Sequence, residues 1–191
     1  MLKTTTYDGS GNAECRQDLQ FDFLHAQNPS FAPLPPLYAG CEYSIVATPT
    51  DEPGGTLTII APDGNTTVVE NVTSAVTQTF AQSGDYVLRY DAPVSYCGFV
   101  QQVVTVNGAA ISGINNSVYY TNSPSFVATG SPAGGTFFIN GTPQAGTTTV
   151  TVNPAALGAG THVIAYRYVT ESGCVLNVSR TIVVIAFACS P

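Results

Sequence analysis

Residues 84–90 have the sequence Gly-Asp-Tyr-Val-Leu-Arg-Tyr, in which Tyr86, Leu88 and Tyr90 occupy every second position. Successive side chains point to opposite faces of a β-strand, so this spacing predicts a strand with one buried face. Similar runs recur along the chain, while helical periodicity is almost absent, and Asn-Gly and Pro-Asp-Gly turns separate the runs at short intervals. Many short strands between frequent turns are typical of a β-sandwich, so we expect an all-β protein.

An internal repeat predicts two sandwiches in tandem. The run Gly-Gly-Thr-Leu-Thr-Ile at residues 54–59 matches Gly-Gly-Thr-Phe-Phe-Ile at residues 134–139, and residues 84–90 match residues 160–166. Cys97 then matches Cys174. A repeat of this length is one supersecondary unit used twice. We expect an N-terminal arm at residues 1–30, a first immunoglobulin-like (Ig-like) domain at residues 31–107 and a second at residues 108–191.

The N-terminal arm has no counterpart in the second repeat, yet part of it has strand character. Leu19, Phe21 and Phe23 alternate with polar residues, and a proline-rich connector follows at residues 28–36. An Ig-like sandwich keeps open edge strands, which a strand from another molecule can extend. We therefore expect these three residues to form a donor strand that links copies head to tail.

Composition excludes several classes of partner. Charged residues are only 9% of the 191, and 5 Lys and Arg stand against 12 Asp and Glu, for a net charge of −7. Nucleic-acid binding depends on clustered cations, and so does attraction to anionic lipid surfaces, so neither is expected. No apolar run reaches the roughly 18 residues that suggest a membrane span, so we expect no membrane insertion.

The second repeat resembles a known module at several motifs. These are Ser-Pro-Ala-Gly-Gly-Thr-Phe at residues 131–137, Asn-Pro-Ala-Ala at 153–156, Gly-Ala-Gly-Thr-His at 158–162, Tyr-Arg-Tyr at 166–168 and Gly-Cys at 173–174. They are similar to the Ig-like repeats of secreted surface proteins and gliding-motility adhesins of Bacteroidetes-type bacteria. The resemblance covers about residues 37–186 and is weaker in the first repeat. It implies an Ig-like sandwich that acts as a spacer or adhesive unit, with no catalytic residues.

The same resemblance implies a disulfide pairing. Such modules often bridge an early cysteine to the Gly-Cys position near the end, which here pairs Cys41 with Cys97 in the first domain. In the second domain Thr121 takes the early position, which leaves Cys174 without its implied partner. Cys15, Cys174 and Cys189 are then candidates for bridges between subunits. Disulfides persist mainly outside the reducing cytosol, so an extracellular or cell-surface location is expected.

Residues suited to catalysis or metal binding are sparse. His162 lies in a strand pattern, where a sheet-face histidine is the simplest interpretation. Asp51-Glu52 lacks the alternating ligands of a calcium loop, and the five cysteines lack the spacing of a zinc site. We expect no enzyme activity, no metal and no cofactor. Tyr119-Tyr120 or Tyr166 and Tyr168 would offer a sugar-stacking platform if exposed, although core packing is the simpler reading.

These observations favour an extracellular structural or adhesive module, a subunit of a surface filament or adhesin assembled by strand exchange between copies of itself. Two alternatives remain open. One is a carbohydrate-binding module for surface glycans, and the other is a virion fibre or decoration protein. The sequence names neither a ligand nor an adhesion target.

Overall fold

The computed structural model describes residues 28–50, 54–93 and 98–188, together with the backbone of two strands nearer the N-terminus. Those two strands, β1 (Leu2–Tyr7) and β2 (Ala13–Leu19), pair antiparallel with Leu2 opposite Leu19. Of the three residues of the predicted donor strand, Leu19 is the last residue of β2, a strand that is already paired with β1. Phe21 and Phe23 lie outside the described residues. Use of the arm as a donor strand stays a prediction.

The first sandwich is formed by nine strands between Ser30 and Asn107. One sheet has the order β4-β11-β10-β7-β8, and the opposite layer consists of the pairs β3–β6 and β5–β9. The short strand β4 runs parallel to the end of β11, whereas the other pairs are antiparallel. The strands are β3 (Ser30–Phe31), β4 (Leu37–Tyr38), β5 (Glu42–Ile45), β6 (Ala47–Thr48), β7 (Gly55–Ile60), β8 (Thr66–Val72), β9 (Val76–Thr79), β10 (Gly84–Asp91) and β11 (Phe99–Asn107).

The second sandwich repeats this layout. Its larger sheet has the order β13-β19-β18-β15-β16, with β13 parallel to the end of β19, and it faces the sheet β12-β14-β17. The elements are β12 (Ala110–Ser112), β13 (Val118–Tyr120), β14 (Phe126–Ser131), β15 (Thr136–Ile139), β16 (Thr142–Pro143), β17 (Thr149–Val152), the short helix α1 (Pro154–Leu157), β18 (Gly160–Val169) and β19 (Val175–Ile185). The predicted fold class, an all-β chain with two tandem Ig-like sandwiches, is confirmed.

Burial follows the alternation that the sequence shows. In β10, Tyr86, Leu88 and Tyr90 are buried between the layers of the first sandwich, while Val87 and Arg89 face outward. In β18, Ile164 and Tyr166 have the same role in the second sandwich. Burial of each such side chain stabilises the fold by roughly 1.5–3 kcal/mol, so the inward rows hold the two layers together.

The repeated Gly-Gly pair has a packing explanation. A Cβ atom on Gly55 would lie 2.5 Å from Cζ of the buried Tyr90, and one on Gly135 would lie 2.5 Å from Cζ of the buried Tyr166. Only glycine leaves room for the ring at these two positions. Each phenol donates a hydrogen bond to the carbonyl of a proline that follows a cis peptide bond, namely Pro49 and Pro132. The matching motifs are therefore one tyrosine–glycine contact built twice.

Candidate functional site at the junction of the two sandwiches

A disulfide joins the two sandwiches. Cys41, just before β5, is bonded to Cys174, just before β19, with 5.9 Å between their Cα atoms and a sequence separation of 133. The pairing of Cys41 with Cys97 is therefore wrong, and Cys97 itself lies outside the described residues. Because Cys174 is bonded within the chain, its assignment as a bridge between subunits is also wrong. A disulfide of this kind is typical of proteins that fold in an oxidising compartment.

The error has a structural reason. Cys97 and Cys174 match in the repeat, but the turn between β18 and β19 contacts the preceding sandwich. The repeat alone does not tell whether such a turn reaches its own domain or the one before it. Cys15 belongs to β2, where only the backbone is described, and Cys189 lies beyond the described residues. Bridges between subunits through these two cysteines stay predictions.

The register of the sheets also revises the alignment of the early cysteine. Leu37 in β4 pairs with Val106, and Tyr119 in β13 pairs with Val184 in the same parallel arrangement. Counting four residues onward from Leu37 and from Tyr119 makes Ser123, rather than Thr121, the residue of the second sandwich that is equivalent to Cys41. The backbone agrees, since the N–H groups of Cys41 and Ser123 donate to the carbonyls of Tyr38 and Tyr120, respectively.

Local hydrogen bonds fix the turn that carries Cys174. The N–H of Gly173 donates to the carbonyl of Thr170 at 2.9 Å, and Gly173 has a φ of +83°, which favours glycine. The N–H of Cys174 donates to Oγ1 of the buried Thr170 at 3.0 Å. This turn closes the β18–β19 hairpin and holds Cys174 at the surface of the first sandwich.

Side chains on either side of the turn extend the contact. Leu176 in β19 is only 6% exposed and belongs to the hydrophobic cluster of the first sandwich, although its strand belongs to the second. Tyr168 in β18 packs against both hydrophobic clusters. Its ring lies 5.8 Å from that of Tyr38, at an interplanar angle of 48°. The junction is thus a packed apolar contact as well as a covalent link.

A cavity of about 170 Å³ opens beside this contact. We call it the junction pocket. Its lining combines residues of both sandwiches and contains no Lys or Arg. The residues are Pro35, Pro36, Tyr38, Glu42, Tyr43, Tyr168, Thr170, Glu171 and Ser172.

Two phenols of this pocket, those of Tyr38 and Tyr43, have a raised pKa. Burial raises the pKa of Tyr38, and a hydrogen bond with Tyr168 and the nearby charge of Glu171 raise it further. Burial also raises the pKa of Tyr43, although its oxygen accepts a 2.7 Å hydrogen bond from the Tyr38 N–H, which lowers the pKa in part. The acidic side chains of the lining are Glu42 and Glu171.

His162 is a packed structural residue. Its side chain is buried, its Nδ1 lies 2.9 Å from Nδ2 of Asn140, and its Nε2 lies 3.0 Å from the carbonyl oxygen of Gly158. An amide N–H donates to Nδ1 and Nε2–H donates to the carbonyl, so the neutral imidazole satisfies both contacts. The interpretation of His162 as a sheet-face histidine is confirmed, and the structure shows that the face is the buried one.

The tyrosines considered as a sugar platform are divided between core and surface. Tyr119 is buried and stacks on Phe126 with 4.5 Å between ring centroids, and Tyr166 is fully buried. Tyr120 is 50% exposed and contacts Phe187 edge to face. Neither proposed pair therefore forms an exposed platform. Sequence reasoning missed Tyr38 and Tyr43, because their closeness to Tyr168 depends on how the sandwiches meet.

The described residues offer neither a metal-binding cluster nor a helix that could span a membrane. Within residues 28–50, 54–93 and 98–188, no three His, Cys, Asp or Glu side chains cluster as a metal site would require. Asp51 and Glu52 lie outside those residues. The only helix there is the four-residue α1, far too short to cross a bilayer. Absence of a metal, a cofactor and catalysis stays a prediction.

An apolar patch covers part of the outer face of the second sandwich. We call it the outer patch. It combines β13, β18, β19 and the residues just after β19, and each of its side chains is well exposed, which is unusual for so many neighbouring apolar groups. Its members are Val118, Tyr120, Val163, Val183, Ile185 and Phe187.

Comparison with known proteins gives a limited result. No protein-family model matches the sequence, and no curated protein matches it. Among solved structures, 11 chains match. One is described as fibronectin(III)-like modules of Clostridium thermocellum CbhA, with 17% identity over 83% of this chain and 95% of that chain, and a TM-score of 0.31. At this TM-score, nothing about the partners or module arrangement of that protein transfers to this chain.

Proposed function

We propose that this chain is a non-enzymatic, extracellular structural segment in which two Ig-like sandwiches are locked end to end. The observation that carries this proposal is the Cys41–Cys174 disulfide together with the burial of Leu176 in the first sandwich. Tandem domains usually move relative to each other unless their interface is large and apolar. A covalent link beside an apolar contact restrains that motion, as a spacer or load-bearing unit of a surface filament or adhesin requires.

The disulfide has a measurable energetic effect under this proposal. In the chain-entropy treatment, a bridge that spans 133 residues destabilises the unfolded chain, and so stabilises the native state, by about 5 kcal/mol. Non-reducing peptide mapping of native protein should recover Cys41 and Cys174 in one linked peptide. Recovery of both as free thiols would refute the locked junction.

Solution scattering tests the mechanical part of the proposal. The double variant Cys41→Ser/Cys174→Ser removes the bridge without leaving a spare thiol. We expect a broader distribution of interatomic distances and a larger maximum dimension than in the oxidised wild type. Wild type that has been reduced and alkylated should behave like the variant. Superimposable curves for all three samples would mean that the disulfide does not restrain the junction.

Assembly into a filament is the second half of the proposal, and the sheet edges support it. Strand β19 has 11 residues, but β13 pairs only with Val183–Ile185. Strand β11 is paired with β4 only at Val106 and Asn107. Within the described part of the chain, the rest of each strand has no hydrogen-bonded partner strand on that side, so its outward N–H and C=O groups could pair with an added strand.

The arm is the proposed donor for such an edge. Deletion of residues 1–27, which leaves β3 intact, should abolish filaments seen by electron microscopy and return a monomer on sizing. A variant of full length, Leu19→Ser/Phe21→Ser/Phe23→Ser, should do the same, because it removes the apolar row while keeping the arm. Assembly that survives both changes would exclude the arm as the linking element.

A further inference from the structure

The junction pocket has walls suited to a compact group rather than a flat one. The rings of Tyr38 and Tyr168 meet at 48° with centroids 5.8 Å apart, so they form two sides of a corner. Tyr43 and the adjacent prolines close further sides. A sugar ring generally stacks on one broad, exposed aromatic face, and these tilted rings do not provide one. A rounded group that touches several ring faces at once fits this geometry better.

The charge in the pocket has one sign. Glu42 and Glu171 are the only charged side chains in its lining, and both are exposed at its rim. The whole chain carries a net charge of −7, so its overall field favours cations over anions. Aromatic faces add a second attraction, because the negative face of a ring binds a cation that sits over it.

We propose that the junction pocket binds an organic ammonium group, held between the rings of Tyr38, Tyr43 and Tyr168 and paired with the carboxylate of Glu171. A ligand group of this chemistry has two sources, a small free amine such as a quaternary ammonium compound and the side chain of a lysine on another protein. This site rests on the locked junction proposed above, but the two are tested separately, because peptide mapping can find the bridge in a protein that binds no cation.

The walls of the pocket come from both sandwiches, which makes binding depend on the junction. Tyr38 and Tyr43 belong to the first sandwich, whereas Tyr168 and Glu171 belong to the β18–β19 hairpin of the second. Cys41 directly precedes Glu42 of the pocket lining, and the Cys41–Cys174 bridge ties this segment to the β18–β19 hairpin. Loss of the bridge should therefore weaken binding even though no wall residue is changed.

Titration calorimetry on the intact oxidised protein tests the proposal with three probes. Choline represents the free amine, and Nα-acetyl-lysine N-methylamide, which keeps its side-chain ammonium group, represents the lysine side chain. The third probe, 3,3-dimethyl-1-butanol, is a neutral molecule of nearly the same shape as choline. We expect at least one cation to bind and the neutral analogue to bind at least tenfold more weakly. Failure of both cations to bind, or equal binding of the neutral analogue, would overturn the proposal.

Matched variants locate the binding site. Glu171→Gln and Tyr168→Leu should each weaken cation binding at least fivefold, while Glu70→Gln and Tyr120→Leu change an exposed carboxylate and an exposed tyrosine elsewhere and should leave it unchanged. Because Glu171 is exposed, its replacement keeps the test valid even if Tyr168→Leu does not fold. Unchanged binding in Glu171→Gln would overturn the assignment. Binding of methyl glucoside in place of the cations would instead identify a carbohydrate site.

Discussion

Leu176 offers a direct test of how the two sandwiches are coupled. Its strand, β19, belongs to the second sandwich, but its side chain is buried in the hydrophobic cluster of the first. Replacement by Ala removes three buried carbons, worth about 2.4 kcal/mol at about 0.8 kcal/mol each. The cavity left behind adds to this, so Leu176→Ala should lower the free energy of unfolding by about 3 kcal/mol.

The location of the effect is more informative than its size. Hydrogen exchange measured by mass spectrometry should show that Leu176→Ala speeds exchange in β7 and β10 of the first sandwich. The control is Val178→Ala, the next inward residue of the same strand, which packs against the second cluster and should act on β15 and β18. Faster exchange confined to the second sandwich in both variants would refute the packing of Leu176 across the junction.

Three further predictions concern single positions. Gly135→Ala should destabilise the protein by about 3 kcal/mol in urea unfolding, because the new Cβ would lie 2.5 Å from both a ring carbon of Tyr166 and the Arg167 carbonyl oxygen; wild-type stability would contradict the packing explanation. His162→Ala loses two hydrogen bonds and should cost about 1–3 kcal/mol; a larger loss would point to a role beyond packing. The raised pKa of Tyr38 means that the unfolded chain releases this proton first, so stability should fall as the pH rises above about 10. Urea titrations from pH 8 to 11 should show a smaller fall for Tyr38→Phe, and equal slopes would contradict the pKa shift.

The sequence by itself determined the strands and the two-sandwich fold. Alternation is a local property, because each residue of a strand points to the face opposite its neighbour, and Tyr86, Leu88 and Tyr90 are buried as their spacing predicts. The internal repeat was also recognisable in the sequence, because both sandwiches need the same glycine next to the same core tyrosine. The position of His162 on a strand was also predicted, because the alternation around it is local.

Only the tertiary structure decided what lies at the junction. Cys41 and Cys174 are 133 residues apart, and their pairing depends on the end of one sandwich meeting the hairpin turn of the other. The alternation of β19 predicts that Leu176 faces inward but not that it enters the core of the first sandwich. The junction pocket has the same origin, since Tyr38 and Tyr168 become neighbours only when the domains pack. Side-chain alternation and turn chemistry act over a few residues, whereas contacts between domains depend on orientations that no short stretch of sequence encodes.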